Sequence, residues 1–253
     1  MGTPDLGEHF LIDKKVIAFI IDNAALQPSD VVLEIGPGRG ALTFELAKHC
    51  QVIAVEISDE HYDRLKEEIK KRGTRNVTLV NANILDIIDT LQFTKIVANI
   101  PYSISEPLFY QLAKKDFQSG IITCGENFYQ VLKGKTKTGI LFAASYDVEK
   151  IKELKKTAFY PPPKTNSCII CVRKKSKPTP KELLLQHLLR LDQKKIQNAL
   201  EKIFENALTK KELAQKIREY AGGEKKKAGM FSKKLQALSN NEMNFLLDFL
   251  EQK

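Results

Sequence analysis

Four consecutive residues, Asn99-Ile100-Pro101-Tyr102 in the stretch "VANIPYSISEPLFY", put a carboxamide, a main-chain carbonyl, a rigid imide and an aromatic ring at the end of an apolar run. That set suits one kind of chemistry. An adenine exocyclic amine is a poor nucleophile because its lone pair is delocalised into the ring, so an enzyme that alkylates it must draw the nitrogen toward tetrahedral geometry. Two fixed acceptors aimed at the two N–H bonds would do this. The Asn99 side-chain oxygen can be one and the Ile100 carbonyl the other, while Pro101 fixes φ and brings no competing donor. Tyr102 can then stack on the base, which must be swung out of any helix to reach such a site. On the tetrapeptide alone, a strand-terminal turn with a packed tyrosine is the simpler reading.

A second motif removes that ambiguity in part. In "VVLEIGPGRGALTFEL", Gly36, Gly38 and Gly40 stand between an apolar run and a helical pattern, where glycine permits positive φ and close approach of backbone to a ligand. Glu56, at the end of the next apolar run, is placed to accept hydrogen bonds from ribose hydroxyls. The same spacing also fits a dinucleotide fingerprint, so a nicotinamide-dependent oxidoreductase is a rival on these residues alone. Taken with the quartet, the loop favours a clamp for a flipped adenine beside a nucleotide-like cofactor.

The elements that must position these residues follow from periodicity. Short β-rich runs ("VVLEI", "QVIAVEI", "VTLVNA", "KIVANI", "GIITC") alternate with helical patterns such as "DEHYDRLKEEIKKRG" and "EPLFYQLAKK". Such alternation gives βαβ units, a parallel sheet and helices on both faces. The later segments "GILFAASYDVE" and "SCIICVRK" read as further, antiparallel strands. "RKKSKPTPKE" is the best linker, and beyond it the chain is helical in period, with Thr209…Glu212 and Ser239…Glu242 fitting the capping box. The expected organisation is an α/β domain over residues 1–176 and an all-α domain over 177–253.

Composition narrows the partners. Among 253 residues the formal net charge is +9, and residues 1–172 balance 21 Lys+Arg against 21 Asp+Glu, so the excess lies in the last third. That asymmetry suggests a polyanion partner, with Lys225, Lys226 and Lys227 in "GGEKKKAG" as the expected contact cluster on a mobile loop. The paired cysteines Cys168 and Cys171 fall on opposite faces of a strand and read as core. His9, His49, His61 and His187 show no ligand spacing, so no metal is expected. The longest apolar run near the start, "VIAFII", is too short for a signal segment or a membrane span, and a cytoplasmic monomer is expected.

Six segments in order, "GEHFLID", "EIGPGRGALT", "VEI", "NANIL", "NIPYSIS" and "AFYPPPKTNS", make the chain resemble the KsgA and Erm group of S-adenosylmethionine-dependent rRNA adenine N6-dimethyltransferases. The resemblance covers nearly the full length. It implies a Rossmann-like class I methyltransferase sheet with a small helical C-terminal domain. It further implies that His9, Leu11, Gly36, Gly38, Glu56, Ile57, Asn83, Ile84 and Asn99 bind S-adenosyl-L-methionine. Asn99, Ile100 and Pro101 would orient the target amine, with Tyr102 and Phe159 sandwiching the base. Glu8 and Asn83 stand where the family usually has glutamine and aspartate, and "GENFYQVLKGKTKTG" departs from the family pattern. The implied substrate is ribosomal RNA in an immature ribosomal subunit, with the small-subunit 3′-end adenosines favoured by "NIPYSISEPLFYQL" and "YPPPK". An Erm-type large-subunit enzyme, a non-catalytic RNA-binding assembly factor and a DNA adenine methyltransferase are the other readings.

Overall fold

The apolar runs at Val31–Ile35 and Lys95–Asn99 are buried along almost their whole length, as strands covered on both faces must be. The computed structural model of the chain describes residues 9–251; Glu8 lies outside them. Its strands are β1 (Phe10–Leu11), β2 (Val31–Ile35), β3 (Gln51–Glu56), β4 (Val77–Asn81), β5 (Lys95–Asn99), β6 (Ser119–Gly125), β7 (Tyr146–Leu154), β8 (Phe159–Tyr160) and β9 (Ser167–Lys174). Seven of them form one sheet in the order β4-β3-β2-β5-β6-β9-β7, while β1 and β8 pair as a separate antiparallel ribbon. β4, β3, β2, β5 and β6 are parallel, and β9 runs against both β6 and β7. β9 is therefore the one reversed strand of this sheet, whereas the sequence suggested two.

Helix α1 (Lys14–Asn23) leads from the ribbon into β2, and α2 (Thr43–Leu46), α3 (Asp59–Arg72), α4 (Ile84–Ile87) and α5 (Ser105–Leu112) connect the parallel strands. Asp13 caps α1 by accepting from the Lys15 and Val16 N–H groups, and Ser58 caps α3, which ends at Gly73 in the left-handed conformation. Val16 and Ile20 of α1 pack on one core with Val32, Val97, Ile121 and Ile169 of the sheet. The strand order reverses between β2 and β5, and the carboxyl ends of those two strands carry the glycine loop and Asn99. A doubly wound sheet opens its ligand crevice at such a switch point.

The chain divides into two compact units, one made of residues up to Gln130 with Tyr146–Lys174, the other of Val131–Ser145 with residues from Lys175 on. Helix α6 (Glu126–Lys133) begins in the first and ends in the second, and α7 (Lys137–Ala143) lies wholly in the second. Val131–Ser145 thus leaves the domain expected over 1–176. The first half of "GILFAASYDVE" is helix α7 and not strand, with Thr136 capping it through the Gly139 N–H. Gly139 is needed there because a Cβ would lie 2.7 Å from the Val131 carbonyl oxygen. Lys137 fixes this piece in its unit, its N–H donating to Asn240 Oδ1 at 2.8 Å and its Nζ to the Gln236 carbonyl at 2.6 Å.

The second unit also holds α8 (Pro180–Arg190), α9 (Ile196–Ile203), α10 (Lys210–Ala221), α11 (Lys225–Met230) and α12 (Asn240–Glu251). The Thr209–Glu212 capping box is formed, and Ser239 and Glu242 exchange the corresponding bonds. A further box, Thr179–Glu182, starts α8 inside the stretch that reads as linker. Lys225, Lys226 and Lys227 do not form a mobile loop. Gly222 and Gly223, at φ 52° and 83°, stop α10, and the lysines that follow open α11. Lys227 pairs with Glu224 at 2.7 Å and lies 5.5 Å from the Tyr220 ring centre, so it is already engaged; Lys225 and Lys226 are exposed.

A buried ion pair ties the α1–β2 connection to the start of β5, with Lys95 Nζ 2.8 Å from Asp30 Oδ2. Burial alone would raise the Asp30 carboxyl. Hydrogen bonds from Lys95, the Gln27 N–H and Thr94 Oγ1, together with the Lys95 charge, hold it below 3.8 instead. Removing one partner of a buried pair strands the other, so Asp30→Asn should cost about 3–5 kcal/mol in equilibrium unfolding at pH 7. Because the folded carboxyl is depressed, its contribution is present above the unfolded pKa and lost as pH falls through the folded one. The wild type should therefore converge on the variant below pH 3.8, which unfolding at several pH values would show.

Candidate active site

The register of the parallel strands sets Ile35 beside Val55 and Glu56 beside Asn81, so the ends of β2, β3 and β4 lie in a row. One cavity opens above these ends. His9, Gly36, Gly38, Glu56, Ile57, Asn83, Ile84, Asn99, Ile100, Pro101 and Tyr102 all line it, together with Phe10, Ser103 and Ile104. Glu56 is 3% exposed, and its two oxygens accept from the Gly38 N–H at 3.0 Å and the Ser58 N–H at 2.9 Å. Each oxygen keeps a lone pair for a further donor. Gly38 sits at φ 52°, and a Cβ on it would lie 2.8 Å from the Phe10 ring, so the residue meets both a backbone and a space requirement. Asn83 caps α4, its Oδ1 accepting from the Leu85 N–H at 3.1 Å, which leaves one lone pair and the amide N–H groups for a ligand.

Asn99 ends β5, and its Nδ2 donates to the His9 carbonyl at 2.8 Å. One N–H of the carboxamide is thereby committed, and Oδ1 is left as its acceptor. His9 Nδ1 donates to the Pro161 carbonyl at 2.8 Å, and the Ile12 N–H donates to the Ala158 carbonyl at 2.9 Å, so the segment that holds Asn99 is itself held by β8 and its flanks. Tyr102 is half-buried, 5.9 Å from the His9 ring between centres, and its hydroxyl lies 2.5 Å from Ser167 Oγ. Burial lifts that hydroxyl above its ordinary pKa of 10, the Ser167 bond opposing, so it is neutral at physiological pH. On the far side of β2, burial pushes Glu34 up to about 8, Thr43 opposing and the Glu56 charge adding to it, so this acid beneath the glycine loop is largely protonated.

Residues 2–239 match the family described as Ribosomal RNA adenine dimethylase. The chain belongs to that family. It is 31% identical over 209 residues to a probable ribosomal RNA small subunit methyltransferase A of Methanopyrus kandleri, covering 77% of this chain and 74% of that one. Over 177 residues it is 36% identical to the corresponding Methanococcus maripaludis protein, covering 67% of each. The crystal structure of a dimethyladenosine transferase from Plasmodium falciparum shares the fold, with a TM-score of 0.65 at 23% identity, over 96% of this chain and 98% of that one. A dimethylase of this family is an S-adenosylmethionine-dependent methyltransferase, and the residues present suit that donor. Glu56 lines the cavity with acceptor capacity left on both oxygens, which suits ribose hydroxyls, and apolar Ile57 and Ile84 line it as a base would require. Among the described residues no group of three or more His, Cys, Asp or Glu could hold a metal, and no helix is long and apolar enough to cross a membrane.

Two expected site residues of the dimethylase lie elsewhere. Phe159 is 2% exposed and packs in the core with Leu11, Leu154 and Ile169, so the expected sandwich with Tyr102 is not formed. The reason is register: Leu11 pairs with Phe159 and Phe10 with Tyr160, and opposed residues of an antiparallel pair share a face. Leu11 accordingly turns its side chain to the core and borders the neighbouring groove over Glu34 instead of the cavity. Phe10 and Ser167 are the residues that sequence reasoning missed. Phe10 stands between two residues that were named, and Ser167 closes the proline-rich motif. Replacing Ser167 by Ala and Tyr102 by Phe, singly and together, should show a coupling of about 0.5–1.5 kcal/mol in denaturant unfolding, since either change alone breaks the same hydrogen bond.

Proposed function

We propose that this protein methylates, twice in succession, the N6 amines of adenosines near the 3′ end of small-subunit ribosomal RNA. The observation that carries this reading is the Asn99 carboxamide, which lines the cavity and is pinned through Nδ2 to the His9 carbonyl, leaving Oδ1 as its acceptor. S-adenosylmethionine, when bound, supplies an electrophilic methyl carbon on a sulfonium. Glu56 holds the ribose through the lone pairs left by Gly38 and Ser58, and Ile57, Ile84 and Asn83 receive the cofactor's adenine. Asn99 Oδ1 and the Ile100 carbonyl accept the two N–H bonds of the target amine and direct its lone pair outward, while Tyr102 stacks on the base. These are preorganised acceptors, so the rate comes from orientation and electrostatics and needs no strong base. Alkylation makes the amine acidic, and its proton can leave to solvent. The small-subunit target is supported by the names of the archaeal relatives, and the exposed Lys225 and Lys226 suit contact with the RNA backbone.

Two measurements test the reading. In titration calorimetry, S-adenosylhomocysteine should bind the wild type, Glu56→Ala should abolish the signal, and NADH should give none; binding of NADH alone would overturn the cofactor assignment. Asn99→Ala should lower kcat by a factor on the order of 10²–10³, the usual loss for one preorganised polar contact, with S-adenosylhomocysteine affinity nearly unchanged. Asn99→Asp should not restore turnover, because it sets a second oxygen against the His9 carbonyl. A variant at Asn99 with wild-type kcat would refute the orienting role.

A further inference from the structure

We propose that Tyr160 is a second stacking platform, which receives an unpaired base flanking the adenosine held in the cavity; this rests on the methylation reading above. Tyr160 is 62% exposed, far more than a large aromatic side chain needs to be beside a buried core. Its place on the ribbon is fixed: it opposes Phe10, and Phe10 lines the cavity, so both rings stand on the face turned away from the Leu11–Phe159 core. The backbone beneath it is rigid, bounded by Pro161, by the His9–Pro161 hydrogen bond and by the Ile12 N–H on Ala158. Exposed Lys155 and Lys164 flank the ring in sequence, and Lys156 reaches across to donate to the Lys164 carbonyl at 2.5 Å. An exposed ring with exposed lysines near it in sequence, on the face that also carries Phe10, is the composition that binds single-stranded nucleic acid by base stacking and backbone attraction. A base can reach the cavity only when its neighbours are also unstacked, and those neighbours need a surface.

The test uses the full chain and a protein-free RNA fragment from the 3′ end of small-subunit rRNA, with filter binding at several salt concentrations and methyl-transfer kinetics. Tyr160→Leu keeps an apolar side chain and removes the π-face. It should raise Kd and KM for the RNA about tenfold while leaving kcat, S-adenosylhomocysteine affinity and the slope of log K against log salt as in the wild type. Tyr160→Phe should stay close to the wild type. Wild-type binding by Tyr160→Leu would overturn the proposal, and so would a loss in Tyr160→Phe equal to that in Tyr160→Leu, which would mean a hydroxyl contact. An effect seen with ribosomal particles but not with the bare fragment would assign Tyr160 to a ribosomal protein and overturn it too. Should the wild type bind the fragment yet transfer no methyl group, the methylation reading fails, and the Kd comparison still decides the role of Tyr160.

Discussion

The hydrogen bond from Asn99 Nδ2 to the His9 carbonyl fixes the orientation of a carboxamide that lines the cavity. Rotated by half a turn, the same side chain would present a donor to an amine that needs acceptors. Ninety residues separate the two partners, so the bond exists only because the fold brings two ends together. β5 must end at the switch point of the sheet, and β1 must be laid across it. The first condition is met by the parallel sheet, with the Lys95–Asp30 pair anchoring the start of β5. The second depends on β8, whose pairing with β1, together with the carbonyl of Pro161 that follows it, holds His9 in place.

The same economy recurs at Glu56. Its oxygens accept from Gly38 and Ser58, so the residue proposed to hold the ribose also shapes the glycine loop and the entry to α3. None of the groups proposed for the target amine, Asn99, the Ile100 carbonyl and Tyr102, ionises near neutral pH. Catalysis by fixed acceptors needs geometry to be set before the substrate arrives, and every one of these groups is tied to a neighbour by at least one hydrogen bond or by the chain itself.

Much of this was legible in the sequence because it rests on local signals. Strand runs bounded by glycine, an acid at a strand end and a hydroxyl three residues before a carboxylate each carry their own mechanism, and β2, β3, the Glu56 placement and the Thr209–Glu212 cap follow from them. What was not legible depends on partners. "GILFA" is apolar enough for either a strand or a buried helix, and α7 wins because Thr136 caps it and Lys137 reaches Asn240 and Gln236, over a hundred positions away in the first case. "GGEKKKAG" has the composition of a loop, yet the glycines end one helix and the lysines start another.

Phe159 is the most instructive case, because the residue type was right for stacking and the face was wrong. In an extended segment, side chains alternate, so which of two adjacent aromatics turns inward is set by the register against the partner strand and not by either residue. A two-residue ribbon is too short to be stable by its own hydrogen bonds. It persists because Leu11 and Phe159 bury their side chains in the core, each worth roughly 1.5–3 kcal/mol on removal from water. That burial takes Phe159 away from the cavity, and in the same act it turns Phe10 outward over the glycine loop, exposes Tyr160, and sets the His9 carbonyl against Asn99. The apolar face of the ribbon is thus what positions the chemistry on the other.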